Sequence, residues 1–433
     1  MSAPSSTGPR VFSRSEHRLS RKKLDENAVK VLYRLHRAGH KAYLVGGGVR
    51  DVLLDRRPKD YDVATSARPQ EVRRLFRNSR IIGRRFRLAH VYFHGGIVEV
   101  STFRRSPDPD AQESGAGDLL ITDDNVFGSP EEDAFRRDLT INALFYNIGD
   151  YSVIDYVGGI DDLQKRIVRI IGDPDLRFRE DPIRMTRACE LAARLGFTID
   201  SETQEGIRRQ AGEILKSSTA RLTEEIGQML RCGHSGTAIQ WMLELGLLDV
   251  VLPEATALLE TEARGLGDYS KTLTLFDSRV AAKQPLSEIG LFSALLLPTV
   301  LLHCAAGIKG DSDPLGVRRA REKIAEAIEP FFRRFVLSKH KAEQVVQTIL
   351  GLHQLRRRRW QTPERVRFSQ RPYFDDALFL LESTVEATGE GSCELQRWRR
   401  LAQSRPVRRE PTTKRGPRRG RRRRRRRAGR RAS

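Results

Sequence analysis

The stretch AYLVGGGVRDVLLDRRPKDYDVA, residues 42–64, decides how the chain is read. It opens on a short apolar run, Tyr43, Leu44 and Val45, and breaks at Gly46, Gly47 and Gly48. The segment from Val49 to Leu54 has helical character; a polar turn with Pro58 follows, and Asp60-Tyr61-Asp62 then runs into Val63. Strand, glycine turn, helix and strand is a unit that offers backbone N–H groups and the positive end of a helix dipole to phosphate. Side chains alternate along a strand, so Asp60 and Asp62 are expected on one side of it. Two carboxylates facing one way beside a phosphate cradle suit a pair of divalent metal ions. The glycines alone are a weak signal, lacking the GKS or GKT of a P-loop and the spacing of a dinucleotide fingerprint. Arg50 strengthens it, because a guanidinium there can fork onto phosphate oxygens.

Outward from this stretch, Leu24, Ala28, Val31, Leu32 and Leu35 fall at helical spacing, so a helix precedes the first strand. Residues 81–103 contain two β-rich runs joined at Gly95-Gly96, a hairpin signal. Glu99 lies inside the second run, where a carboxylate is costly unless paired or metal-bound. Residues 106–118 are polar and rich in Gly, Pro and Asp, and read as a mobile loop. After Asp161 amphipathic helical segments dominate, and the LFSALLLPTVLL run from Leu291, broken by Pro298, reads as buried helix. The expected architecture is an α/β head with a mixed sheet and helices, then an all-α neck and body. The divisions are a flexible arm over 1–20, the head over 21–159, a neck over 160–255, a body over 256–404 and a disordered tail over 405–433.

The net charge of +22 is concentrated at one end: from Arg405 onward there are sixteen Lys or Arg and one Glu, so the tail carries +15 and the remainder +7. An arginine block cannot bury apolar surface and calls for a polyanion, most simply nucleic acid through its phosphates. The four cysteines, Cys189, Cys232, Cys304 and Cys393, form no CxxC and have no histidine at ligand spacing, which argues against a disulfide framework or structural zinc. No secretory signal is read at the N-terminus and no membrane span in the chain, so the expected location is a reducing cytoplasm.

GGGVRD followed by KDYD resembles the nucleotidyltransferase head shared by bacterial poly(A) polymerases and class II CCA-adding enzymes. Two later segments match in order: Arg136-Arg137-Asp138-Leu139-Thr140-Ile141-Asn142 resembles the RRDFTxN element, and Glu180-Asp181-Pro182-Ile183-Arg184 resembles the EDxxR element. The resemblance covers residues 24–250. It implies that Asp60 and Asp62 hold two Mg²⁺ ions, with Glu99 in support, and that Asp138 is the third catalytic carboxylate. It further implies that Gly46, Gly47 and Arg50 hold the triphosphate, Arg136 and Arg137 contact phosphates, Asn142 stands one turn along, and Asp181 and Arg184 present an acceptor and a donor fork to a base edge. ATP is then the substrate and RNA 3′ ends the acceptor, largely regardless of sequence. Two positions depart from the family pattern: Leu139 replaces the usual Phe, and Asp55 stands where a helix-ending Gly is common, so a differently shaped turn is expected before Asp60.

The metal site cannot separate the two kinds of enzyme. The segment Ile81-Ile82-Gly83-Arg84-Arg85-Phe86-Arg87-Leu88-Ala89-His90-Val91 resembles the stretch that marks bacterial poly(A) polymerases, and the arginine tail suits an enzyme that meets many RNAs, because phosphate contacts carry no sequence information. The alternatives are CCA addition to tRNA and a non-catalytic RNA-binding scaffold. His90 reads as a packed or hydrogen-bonded residue rather than a general base. A second RNA candidate is the run Arg356 to Trp360 with Arg365, Arg367, Phe368, Arg371 and Tyr373: arginines interleaved with aromatics suit single-stranded RNA, and equally suit a helical core with a solvated basic face.

Overall fold

The computed structural model describes residues 8–83, 87–105, 126–260, 264–284, 286–304, 314–335, 337–356 and 360–404. The 106–118 loop, Arg84, Arg85, the arginines at 357–359 and the basic tail lie outside the described residues.

The head is built on one mixed sheet. Its strands are β1 (Arg10–Phe12), β2 (Ala42–Val45), β3 (Asp62–Thr65), β4 (Ser79–Ile82), β5 (Leu88–Phe93), β6 (Gly96–Thr102), β7 (Leu144–Asn147) and β8 (Val153–Asp155), in the spatial order β1-β8-β7-β2-β3-β6-β5-β4. The pair β3–β6 is parallel, and the other neighbours are antiparallel. The hairpin read at Gly95-Gly96 joins β5 to β6, with Gly95 at φ 98°.

Helix α1 (Glu26–Arg37) starts where the sequence places it. Asp25 caps it by accepting from the N–H groups of Asn27 and Ala28, and Ala28, Val31, Leu32 and Leu35 bury one stripe in the head core. Helix α2 (Gly47–Leu53) follows β2 directly. The turn after it is left-handed at Asp55, φ 57°, so the residue expected to reshape this turn adopts the conformation a glycine would, with its carboxylate paired to Lys23 and 3.8 Å from Arg18.

Within the arm read as flexible over 1–20, the residues from 8 onward are described, and they pack on the head. Arg10–Phe12 pairs with β8, and Leu19 is fully buried. Strand addition to a sheet edge uses backbone groups, which leave little mark on side-chain pattern. Two short helices, α3 (Pro69–Leu75) and α4 (Pro130–Phe135), complete the head.

Among the described residues beyond β8 the chain is helical apart from the paired strands β9 (Ile167–Val168) and β10 (Thr198–Ile199). The neck comprises α5 (Gly159–Lys165), α6 (Pro174–Glu180), α7 (Ile183–Leu195), α8 (Ser201–Gln210), α9 (Thr219–Met229), α10 (Ser235–Glu244) and α11 (Leu247–Val251). The body comprises α12 (Pro253–Glu260), α13 (Arg264–Ala281), α14 (Glu288–Cys304), α15 (Pro314–Arg334), α16 (Lys339–Leu355), α17 (Thr362–Ser369), α18 (Phe374–Thr388) and α19 (Ser392–Gln403). Leu291, Phe292, Leu295, Leu296 and Val300 of α14 are buried, as the unbroken apolar run implies. Among the described residues no helix is long and apolar enough to cross a membrane.

Candidate active site

A cleft of about 1870 Å³ runs from the glycine turn of the head, along α7 and α9 of the neck, to Lys283, Glu288 and Lys341 of the body. Gly46 opens α2 at φ 71°, a left-handed value that an L side chain resists. A Cβ there would stand 3.6 Å from Arg137 Nη1 and 3.7 Å from Asp62 Oδ2, and one on Gly48 would stand 3.4 Å from the carbonyl oxygen of Asp60. These are ordinary contact distances, so it is the left-handed φ of Gly46, not crowding, that calls for glycine at this turn.

Strand β3 begins at Asp62, so Asp60 lies in the irregular approach to the strand rather than on it. Asp60 is exposed, Asp62 half-buried, and both line the cleft. Parallel pairing sets Glu99 of β6 directly opposite Asp62, on strands separated by about 4.8 Å. Burial, then the charge of Glu99, pushes the Asp62 carboxyl up to about 6; Arg137 opposes this and Asp60 adds to it. Glu99 keeps a hydrogen bond of 3.1 Å with His90 Nε2, the hydrogen-bonded role expected for that histidine.

Arg136 and Arg137 are aimed by a residue that sequence reasoning passed over. Asp133 of α4 is buried, and takes Arg136 Nε at 3.2 Å, Arg137 Nη2 at 2.9 Å and the N–H of Arg104 at 3.2 Å. Burial works to raise its pKa, but Arg137 and Arg136 outweigh it and hold the carboxyl below the usual carboxylate range. Asp138 is held low in the same way, burial being outweighed by Arg187, the N–H of Leu139 and Asn142.

Arg50 does not project freely toward the cleft. It is buried, donating from Nε to Asp51 at 2.8 Å and from Nη1 to the Asn142 side chain, directly under Gly47. Asn142 in turn donates to Asp138 at 3.3 Å, and Arg187 bridges Asp138 at 3.6 Å and Glu225 at 3.0 Å. A line of hydrogen bonds and ion pairs thus links α2 of the head to α9 of the neck.

Asp181 and Arg184 do not share a helical face as expected. Asp181 precedes Pro182, and a residue before proline avoids the helical region, so α6 ends at Glu180 and α7 starts at Ile183. Asp181 is gripped by Arg221 of α9 with two bonds of 2.9 Å. Arg184 turns back to the Arg177 carbonyl at 2.8 Å and Glu180 at 3.0 Å. Arg177 donates to the carbonyls of Arg136 and Arg137 at 2.7 and 2.6 Å, tying the neck to the RRD segment. Arg184, Arg187, Leu191 and Arg194 all line the cleft at a spacing of three to four residues. That cationic stripe on an otherwise apolar helix was the available sequence signal for Arg187.

Residues 42–169 match the family model described as the poly A polymerase head domain, and residues 196–259 match one described as the probable RNA and SrmB-binding site of polymerase A. Poly(A) polymerase I of Salmonella typhi is 39% identical over 407 residues, covering 92% of this chain and 86% of that protein. The chain belongs to the bacterial poly(A) polymerase family. It is an RNA nucleotidyltransferase, and the fold and order of motifs expected from residues 42–64 hold. A CCA-adding enzyme of Bacillus velezensis is 37% identical over 221 residues, which cover 51% of this chain and 54% of that enzyme. A solved CCA-adding enzyme of Bacillus stearothermophilus in complex with CTP aligns with a TM-score of 0.59 at 26% identity, over 87% of this chain and 82% of that one. Family membership therefore rests on a match along 92% of the chain, and the kinship with CCA-adding enzymes is shared architecture with sequence likeness over about half of it.

Proposed function

We propose that the protein is a template-independent poly(A) polymerase that transfers AMP from ATP to RNA 3′ ends and releases pyrophosphate. The observation that carries this is the pairing, within one cleft, of the under-neutralised Asp60–Asp62–Glu99 group with an arginine-rich neck wall, in a chain alike along 92% of its length to a poly(A) polymerase I.

The acidic end fits Mg²⁺. Mg²⁺ is an ion that takes one or two carboxylates and completes its octahedron with substrate phosphate and water, and Asp60 and Asp62 line the cleft as such a pair. Two Mg²⁺ ions on Asp60 and Asp62, with Glu99 behind, would lower the pKa of the RNA 3′-hydroxyl and neutralise the triphosphate and departing pyrophosphate. Gly46 and Gly47 bring backbone close enough for the triphosphate, and Arg136 and Arg137, aimed by Asp133, bind its oxygens. Arg50 orients Asn142, and through it Asp138, rather than gripping phosphate. Asp138 acts from the neck side of the cleft, and Glu99 is the third carboxylate at the metal end. Asp181 and Arg184 read the base edge by exchanging their present partners, Arg221 and Glu180, for base contacts. The basic tail over 405–433 adds sequence-independent affinity for RNA phosphates, in a cytoplasmic setting.

Purified protein given Mg²⁺, a short RNA and each NTP separately tests the reading. Extension by many A residues is the expected result. Addition of only C, C and A to tRNA ends would establish the CCA-adding alternative, whose support is the matched head and neck. RNA binding without extension would establish the scaffold.

A further inference from the structure

A second cavity, of about 310 Å³, opens between α17 and α19 of the body and shares no lining residue with the main cleft. That volume is at the lower end of small-ligand sites, roughly 300 Å³, which suits one nucleobase. Its walls are of two kinds. Trp360 is half-buried, with its ring 5.2 Å from Phe368 and 5.4 Å from Trp398, and its remaining surface lines the cavity beside Val366 and Leu401. Around the mouth stand Arg365, Arg397 and Arg400, the last two at helical spacing on α19. Among the described residues none of these three arginines has a carboxylate within ion-pair distance, whereas Arg399, between two of them, is paired with Glu382. Glu394 is the one acidic residue in the lining.

The surrounding sequence has the same character. Arg357, Arg358 and Arg359 immediately precede Trp360, and the arginine block begins one residue after Ser404, which lines the cavity. A flat apolar wall rimmed by guanidiniums that have no carboxylate partner among the described residues is complementary to an unstacked base with a phosphate on either side. An acidic peptide would satisfy the arginines but would leave the indole unused.

We infer that the α17–α19 cavity is a second binding site for single-stranded RNA, holding one base of the strand upstream of the 3′ end against Trp360 while Arg365, Arg397 and Arg400 hold its flanking phosphates. This rests on the proposed activity only in taking RNA as the ligand. The site would retain the growing strand on the body between additions and leave chemistry in the main cleft untouched.

The full-length protein is compared with its Arg365→Ala/Arg397→Ala/Arg400→Ala variant, which alters surface cations and spares the aromatic cluster. Oligo(A) primers of about 20 and about 4 nucleotides bracket the span of a single-strand site. The expected result is a roughly tenfold rise in KM for the long primer, with kcat and the short-primer KM unchanged. Unchanged KM for the long primer, or an equal rise for both, would overturn the inference. A 20-mer carrying 4-thiouridine, photo-crosslinked to wild-type protein, should label peptides from 360–369 and 391–404; labelling confined to the head and neck would overturn it independently. If wild-type protein extends neither primer, the activity reading fails, while the crosslink still decides the site.

Discussion

The two ends of the main cleft handle negative charge in opposite ways. At the head end Asp62 faces Glu99 across a strand pair with Asp60 nearby, and burial and these neighbours push its carboxyl up to about 6 against the pull of Arg137 alone. Toward the neck, where α4 and the RRD segment meet α6 to α9, the framing acids have arginines: Asp133 with Arg136 and Arg137, Asp138 with Arg187, Glu180 with Arg177 and Arg184, Asp181 with Arg221. Folding stability alone favours the second pattern, since a buried acid without a partner is costly. Charge left under-neutralised in a cleft marks a place kept for a cation, and charge already neutralised marks a frame.

The hardest test of this contrast removes the acids at the head end. Asp60→Ala or Asp62→Ala should reduce primer extension by about 10³-fold or more while leaving RNA binding intact. Thermal melting in the absence of Mg²⁺ should show no loss for Asp62→Ala, because the substitution relieves repulsion. A double variant that still extends RNA would refute the metal assignment. A large drop in melting temperature would instead make Asp62 part of the frame.

The frame predicts the reverse. Asp133→Ala buries Arg136 and Arg137 without their counter-charge and should cost about 3–5 kcal/mol in chemical denaturation. Extension should fall as well, since both guanidiniums lose their aim. Denaturation unchanged to within about 1 kcal/mol would show that the two arginines are held by something other than Asp133.

Protons give a finer probe of the same difference. The folded pKa of Asp62 is raised, so its favourable contribution is fully present below the unfolded value of 3.8 and is lost as pH climbs through about 6. A metal ion competes for the deprotonated form. Mg²⁺ should therefore raise the melting temperature more at pH 7.5 than at pH 5.5, and the Asp62→Asn variant should abolish much of that dependence. An Mg²⁺ effect equal at both pH values would remove Asp62 from the ion's ligands.

How far the sequence reveals this arrangement depends on the range of the interactions. The glycine turn, α1 and the β5–β6 hairpin are local patterns, and each stands where its residues imply. Asp60, Asp62 and Glu99 were legible as acids out of place, though only the parallel register of β3 and β6 shows which of them face each other. The frame was hidden because its pairs join distant segments: Arg221 lies 40 residues from Asp181, and Arg50 lies 92 from Asn142. Arg50 looked like a phosphate ligand because nothing local shows that α2 buries it. The aromatic run near Trp360 was ambiguous for a related reason: Phe368 is core and Trp360 lies at its margin, and only packing against α19 separates the two.

The smallest predicted effect is the most discriminating. Arg221 is about one-third exposed, and its bond to Asp181 contributes roughly 0–1 kcal/mol to stability, so Arg221→Ala should fold normally. If Asp181 reads the base, losing the Arg221 fork alters how firmly that acceptor is held when the nucleotide arrives. The kcat/KM ratio for ATP over CTP should then fall about fivefold, the equivalent of about 1 kcal/mol, with kcat at saturating ATP nearly unchanged. If the ion pair only braces α9 against the start of α7, both nucleotides lose rate together and the ratio stays fixed. Arg221→Lys sharpens the result, because an ammonium keeps the charge and loses the bidentate fork. Discrimination lost in both variants would assign the role to the fork's geometry. Discrimination lost with alanine but retained with lysine would assign it to the charge that holds Asp181 rather than to the fork.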